Sequence, residues 1–338
     1  MNLQPLPPSS IPSRRRLLAA ACAAAGAALL RPAEVRAGTF PAKGRPIRLI
    51  VPFPAGGTSD LRARQVAERM GRDEGWTVVV ENRAGASGMI GAGHVARAAA
   101  DGYTLLLGTI GLLAINPHVF ATQAYDVLRD LQPITQFSRS VTVLFAHRKL
   151  GVESLGDLEA RVRAGVSLAY GSTGNGTIGH MVGETYKRRA ELDIVHVPYK
   201  GTAPAVRDFV GYQVPLLYET PSAVWEHVKA GTAVPLAVSS ALRMPQLPAV
   251  PTFSESGYTD LVFDTWQGLL TVRGVPADVL AALHREATQA LADPEVVRSH
   301  EDQVNVVVAG TPGEFERVIR SETEKWGRIV RETGVQTG

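Results

Sequence analysis

The chain has 338 residues, 45% apolar and 20% charged, the balance of a globular protein with room for two cored domains. Its net charge of +3 comes from one end: residues 1–37 hold Arg14, Arg15, Arg16, Arg31 and Arg36 against Glu34, and the rest carries 30 basic and 31 acidic side chains, a net −1. So balanced a chain implies no nucleic-acid partner, and a single cysteine, Cys22, excludes a disulfide framework.

The N-terminal stretch reads as an export signal. Ser13-Arg14-Arg15-Arg16-Leu17-Leu18 is a twin-arginine pattern, and an Ala-rich apolar run continues to Leu30, too short to span a bilayer. Val35 and Ala37 then supply the small residues of a cleavage site ahead of Gly38. Twin arginines alone do not separate their own route from general secretion. Ala19-Ala20-Ala21-Cys22 has the outline of a lipoprotein box, but the short apolar run before it argues against lipidation. A chain cut after Ala37 keeps no thiol.

The next stretch, IRLIVPFPAGGTSD (47–60), is the one around which the remaining chain is organised. An apolar strand, Ile47–Phe53, runs into a glycine loop and then a helix, Asp60–Met70, with Leu61, Val66 and Met70 expected inward and Arg62, Glu68 and Arg69 outward. A helix start leaves backbone N–H groups unpaired and carries a positive partial charge, which makes this corner an anion site.

Strand and helix signals then alternate. Strands are expected at Thr77–Glu81, Tyr103–Leu107, Val141–Ala146, Val166–Tyr170, Ile194–Val197, Val214–Tyr218, Leu236–Ser239 and Gly268–Val272. Helices are expected at Ile90–Ala99, Ser154–Arg163, Ile178–Arg189, Ala203–Val210, Ser222–Lys229, Ala277–Ala292 and Pro312–Glu332. The order points to an α/β architecture, and the strands' unbroken apolar runs point to parallel sheets buried on both faces. The last two helices have strong inward faces: Val279, Leu280, Leu283, Ala287 and Leu291, then Phe315, Val318, Ile319, Trp326 and Ile329. They are expected to return to the first domain, so the domains read as residues 38–143, 144–249 and a returning 250–338.

Four loops at strand ends carry the chemistry. They are Pro54-Ala55-Gly56-Gly57-Thr58-Ser59-Asp60, Asn82–Gly88 with Ser87, Gly171-Ser172-Thr173-Gly174-Asn175-Gly176-Thr177, and Pro198-Tyr199-Lys200-Gly201-Thr202. Ligands of open α/β sheets sit beyond the carboxyl ends of strands, where glycine admits close backbone approach and Ser and Thr add hydroxyls. Each loop alone reads equally well as an ordinary turn and cap; together they read as a site for a small carboxylate. Lys200 and Asp60 are the charged residues expected to face it, Asp60 also suiting the helix start and an i,i+4 pair with Arg64. Tyr199 is the aromatic expected to touch ligand.

Other chemistries fit poorly. Gly174-Asn175-Gly176-Thr177-Ile178-Gly179 spells a dinucleotide fingerprint, but the next strand ends in Pro198-Tyr199-Lys200 without the acid that would hold a ribose. No G-x-S-x-G elbow occurs, so Ser59, Ser87 and Ser172 lack a nucleophile's setting, and His180, early in a helix, reads as a packing residue. No metal-ligand spacing and no phosphate-loop lysine appear. No cofactor, metal or catalytic residue is assigned.

Long motifs resemble a known family: PFPAGGTSDLRAR (52–64), VVVENRAGASGMIGAGHVARAAADGYTLLLGT (78–109), YGSTGNGTIGH (170–180), VPYKGTAPAVRD (197–208) and LPAVPTFSESG (247–257). They are similar to the Bug-type (Bordetella uptake gene) extracytoplasmic receptors, the solute-binding subunits of tripartite tricarboxylate transporters. The resemblance implies a type II periplasmic-binding-protein-like fold: two α/β domains with a hinge and an interdomain ligand cleft. It implies a ligand among di- and tricarboxylates, acidic amino acids and aromatic acids, gripped at Pro54, Ala55, Gly56, Gly57, Ser59, Asp60 and Ser87. The rest of the pocket would come from Thr109, Ser172, Thr173, Gly174, Tyr199, Lys200 and Gly201. At 214–219, where many members have an acid early in the strand and Phe-Asp at its end, this chain reads Val-Pro-Leu-Leu-Tyr-Glu, which puts Glu219 at the pocket's distal end. Gly111-Leu112-Leu113 beside Thr109 suits an apolar ligand body. The implied role is a periplasmic receptor, monomeric by default, that delivers its acid to membrane transporter subunits; a receptor for a sensor kinase and an exported serine hydrolase are the alternatives.

Overall fold

Strands at the expected places assemble into two sheets, and a computed structural model describes them through residues 40–72, 75–302 and 304–335. The expected leader, with Cys22 and the cut after Ala37, lies outside the described residues. The strands of the first sheet are β1 (Ile47–Val51), β2 (Val78–Asn82), β3 (Thr104–Thr109), β4 (Leu131–Val141), β10 (Asp264–Val272) and β11 (Val306–Val307), in the order β11-β4-β10-β3-β1-β2. Those of the second are β5 (Val143–His147), β6 (Leu168–Ser172), β7 (Ile194–Pro198), β8 (Leu216–Glu219) and β9 (Ala233–Val238), in the order β7-β6-β8-β5-β9.

Both sheets are mixed, which corrects the all-parallel expectation. β10 runs antiparallel to β3 and β4, and β5 runs antiparallel to β8 and β9. Connectivity is the cause. β4 passes through Thr142 alone into β5, and β9 returns through residues 239–263 to β10, so β5 and β10 enter their sheets from the side where their neighbours end. The two crossings are tied to each other. The Thr142 N–H donates to Ser239 Oγ at 2.9 Å, the Ser239 N–H to the Thr142 carbonyl at 2.9 Å, and the Ser239 hydroxyl to the Phe263 carbonyl at 2.6 Å. All three residues are buried.

The helices are α1 (Thr58–Arg69), α2 (Met89–Ala96), α3 (Leu155–Arg163), α4 (Ile178–Arg189), α5 (Thr202–Val210), α6 (Pro221–Lys229), α7 (Ala277–Ala292), α8 (Pro294–Asp302) and α9 (Pro312–Thr333). As the pattern predicts, α7 buries Val279, Leu283, Ala287 and Leu291, and α9 buries Phe315, Ile319 and Trp326. Both pack on β4. Phe315 meets Trp266 edge-on with ring centroids 5.4 Å apart, and Trp326 meets Phe263 at 4.8 Å, so α9 backs the returning crossing. Each such side chain contributes roughly 1.5–3 kcal/mol by burial. A capping box of Thr311 and Glu314 starts α9. Among the described residues no helix is long and apolar enough to cross a membrane.

Several elements were not anticipated, among them β4, β11 and α8. Residues 131–141 mix Gln132, Pro133, Gln136 and Ser138 into the run, and Pro133 argues against a strand. Pro133 pairs with Leu270 of β10 beside a register shift, and on the other edge β11 pairs only with Ser138 and Arg139, so the proline sits at an irregular, half-paired position. The face of α1 is also corrected. Leu61 is 60% exposed and Arg62 only 6%, while Val66 and Met70 are buried as expected.

Candidate functional site

The strands that run toward the gap between the sheets end there, so the helices after them begin there. The gap is a cavity of about 900 Å³, part of it open to solvent, lined from both sides. The N-caps of α1, α4, α5 and α6, namely Gly57, Thr177, Gly201 and Thr220, all line it. None of the four is closed by a side-chain hydrogen bond. Each helix start leaves orphan N–H donors and the positive end of its dipole, roughly half an elementary charge. The cavity therefore favours an anion.

Buried hydrogen bonds hold the first loop in shape. Gly56, at φ +80°, donates its N–H to Asp60 Oδ2 at 2.9 Å. Arg64 Nε reaches the same oxygen at 3.1 Å, and Asn82 Nδ2 reaches Oδ1 at 2.9 Å. Burial would raise the Asp60 carboxyl, but the bonds from Arg64, Gly56 and Asn82 hold it below its ordinary value. The expected i,i+4 pair with Arg64 is present. Ser87 sits in the left-handed region at φ 52°, and its carbonyl accepts Asn116 Nδ2 at 3.1 Å. Strain of this kind persists where surrounding structure fixes it, as at ligand sites.

Of the residues singled out in the sequence, Pro54, Gly57, Ser59, Ser87, Thr109, Thr173, Lys200, Gly201 and Glu219 line the cavity. Ala55, Gly56, Asp60, Ser172, Gly174 and Tyr199 are not among its lining residues, Ala55 and Gly56 being exposed. Tyr199, half-buried, packs against the second sheet's core, and burial raises its hydroxyl pKa. Its N–H donates to the Ser172 carbonyl at 3.0 Å, and Gly201 donates to Thr173 at 3.1 Å, so this loop continues the β6–β7 pairing. Ile110, Gly111 and Leu112 supply an apolar wall, while Leu113 is buried away from it.

The lobes meet across the cavity. A Cβ on Gly111 would lie 3.0 Å from the Gly176 carbonyl, and one on Gly201 would lie 3.3 Å from Pro54 Cδ. The first of these is tighter than ordinary contact, so a side chain at Gly111 would push the Gly176 loop back.

Sequence reasoning missed the crossing strands' contribution. Ser138 and Ser140 of β4 and Thr265 and Gln267 of β10 line the cavity. Ser138, Gln267 and Thr109 are register partners on three adjacent strands, forming one row. Gln267 Nε2 donates to Ser59 Oγ at 2.9 Å, whereas Gln267 Oε1 is buried without a partner. Arg62 was missed too: NH1 donates to Ser138 Oγ at 3.2 Å and NH2 to Ser222 Oγ at 3.3 Å, one on each side of the gap. Burial lowers its pKa to about 10, opposed by the charge of Glu219. Glu219 is itself raised by burial, against hydrogen bonds from the Thr220 N–H at 2.7 Å, the Thr220 hydroxyl at 3.0 Å and Thr202 at 3.4 Å.

Ser172 Oγ lies 2.7 Å from His196 Nε2, the contact a serine nucleophile would need. Yet Ser172 is fully buried, and His196 stacks on His180 at 4.2 Å. Burial takes the imidazoles down to about 3 for His196 and about 4 for His180, the stacked neighbour adding to the first. A base that weak, bonded to an inaccessible hydroxyl, positions the third loop instead. Gly174 N donates to Ser172 Oγ at 3.3 Å, and Gly176 N to His180 Nδ1 at 3.2 Å. Among the described residues no three His, Cys, Asp or Glu side chains gather as metal ligands would.

Residues 62–335 match the family described as the tripartite tricarboxylate transporter family receptor. Protein BugT of Bordetella pertussis is 37% identical over 306 residues, 90% of this chain and 93% of its own. The periplasmic binding protein BugD is similar in structure, with a TM-score of 0.83 at 30% identity, covering 88% of this chain and 100% of that one. A protein of R. palustris solved with adipate scores 0.82 at 32% identity, covering 86% and 98%. The fold is thus periplasmic-binding-protein-like, as expected.

Proposed function

This chain belongs to the tripartite tricarboxylate transporter receptor family, and from that premise we propose that it is an exported periplasmic protein that captures a small carboxylate and delivers it to a membrane transporter. One observation carries the reading: four helix N-termini, none capped by a side chain, open onto one cavity. Such ends attract an anion without a formal counter-charge. The backbone at Gly57–Ser59, with Ser87, Thr109 and Thr173, is the grip, and Lys200 stands exposed beside it. Asp60, Gly56, Ala55, Ser172, Gly174 and Tyr199 set the shape of the loops that hold it. The adipate seen in a 32%-identical relative supports an acid of this size.

Capture works by closure. The two lobes, residues 38–143 with 250–338 and residues 144–249, turn about the crossings at Thr142 and 239–263. Closing on the acid excludes water, where oriented N–H groups act more strongly.

The test is a thermal-shift and calorimetric screen of mono-, di- and tricarboxylates against neutral amides of the same shape. An acid present at 100 times its Kd adds about 2.7 kcal/mol of stability and raises the Tm by several degrees. Gly57→Leu, whose Cβ would meet Thr202 Cβ at an ordinary 3.9 Å, folds but places its side chain at the α1 start and loses the shift. A screen in which no acid moves the Tm, or a Gly57→Leu protein that binds as before, refutes the reading.

A further inference from the structure

Among the described residues Arg62 is the one guanidinium in the cavity wall, and it is 6% exposed. A buried cation is costly unless an anion pairs with it, and an arginine does not shed its proton to escape. Here its guanidinium donates to two neutral hydroxyls, Ser138 and Ser222, at the long distances of 3.2 and 3.3 Å. Glu219 is close enough to be felt, but its oxygens take Thr220 and Thr202 instead of pairing with Arg62. With five N–H donors and two so engaged, the guanidinium keeps a face able to take a carboxylate.

The row of register partners gives the spacing. Thr109, part of the grip, and Ser138, which accepts from Arg62, are two strands apart with Gln267 between them, about 10 Å at ~4.8 Å per strand. Removing about 3 Å for a hydrogen bond at each end leaves about 4 Å between the anionic groups of a ligand. That is the span of a chain of four or five carbons. Gln267, whose Oε1 is buried and unpartnered, is the residue between them in that row.

We infer that Arg62 is a specificity-determining residue that receives a second carboxylate, so that the cavity selects short α,ω-dicarboxylates over monoacids of the same length. This rests on the carboxylate reading above and narrows it. Ser138 and Ser222 aim the guanidinium, and because Ser222 comes from the opposite lobe, Arg62 meets the diacid when the lobes are together.

The experiment compares succinate and glutarate with their monomethyl esters by calorimetry on the unmodified protein, then repeats the series on Arg62→Gln. Each diacid is expected to bind about 10- to 100-fold more tightly than its ester, and Arg62→Gln to erase that ratio by weakening the diacid. Esters that bind as tightly as diacids overturn the inference and leave the carboxylate reading standing, and so does an Arg62→Gln protein with full diacid affinity. If neither acid nor ester binds, the inference falls, and the wider carboxylate screen decides the reading it rests on. The ester comparison needs no substitution, so it decides the matter even where Arg62→Gln does not fold.

Discussion

Replacing Asp60 with Asn tests whether the first loop is held by a charge. Every group that Asp60 meets is a donor: the Gly56 N–H, Arg64 Nε and Asn82 Nδ2. An amide supplies only one acceptor oxygen, so its own NH2 must confront one of them. Asn82 cannot simply turn over, since its Nδ2 also donates to the Phe53 carbonyl at 3.0 Å and its Oδ1 accepts Arg64 at 3.1 Å. A charge-assisted bond is worth about 1.5–3 kcal/mol and a neutral one about 1. Arg64, half exposed, counts for least. The expected loss is about 2–3 kcal/mol, read by urea denaturation at pH 7. The pH dependence has a definite sign. The folded-state pKa is depressed, so the stabilisation is complete above the ordinary carboxyl value of about 4 and disappears as pH falls through the lower folded value. The gap between wild type and variant should stay constant from pH 7 to about 5 and narrow below about 4. A difference under about 0.5 kcal/mol at pH 7, or one that widens in acid, refutes the reasoning.

Two further predictions concern the crossings and the second lobe. Ser239→Ala strips the Thr142 N–H and the Phe263 carbonyl of a buried partner and should cost about 2–6 kcal/mol in denaturation, at about 1–3 per orphaned group; a loss below about 1 kcal/mol would show that the crossings are not tied there. His180 and His196, depressed to about 4 and about 3, stay neutral in the folded state while an unfolded chain takes up protons below about 6.5. Stability should therefore fall by several kcal/mol, in order of magnitude, as pH drops from about 6.5 toward 4, and less steeply in His196→Asn. A flat profile over that range in the wild type would contradict it.

The loops were legible because their signals are local. Gly56-Gly57 before Thr58-Ser59-Asp60 marks a strand end and a helix start within one short stretch, whatever surrounds it. Arg62 was not, because an arginine on a helix is read by habit as solvated. The periodicity nevertheless contained it: Arg62, Val66 and Met70 lie at i, i+4 and i+8, one stripe, while Leu61 falls on the neighbouring face. Following the spacing instead of the polarity would have placed it inside. β4 escaped for a related reason. Thr135, Gln136, Ser138 and Ser140 are polar yet buried, because α7 and α9 cover one side of the strand and the cavity occupies part of the other. Tyr199 errs the opposite way: its backbone belongs to the loop at the cavity, but its half-buried ring packs against the core beside Gly171.

The mixed sheets explain why the site has two kinds of wall. Strands β1, β6, β7 and β8 each end at the gap and hand over to a helix, so each contributes a helix start and its N–H groups. β4 and β9 also end there, but they continue into the other sheet as β5 and β10, and no helix comes after them. What the crossing strands present instead is side chains in register, Ser138 beside Gln267 and Ser140 beside Thr265. The first wall is built of backbone and favours one anionic group with little regard to what carries it. The second is built of side chains on the strands that join the lobes, and Arg62 leans on it. If the ligand is the carboxylate proposed above, discrimination between acids falls to β4, β10 and Arg62 more than to the glycine loops. Substitutions at Ser138 or Gln267 should change which acid binds, and those at Gly57 whether any does.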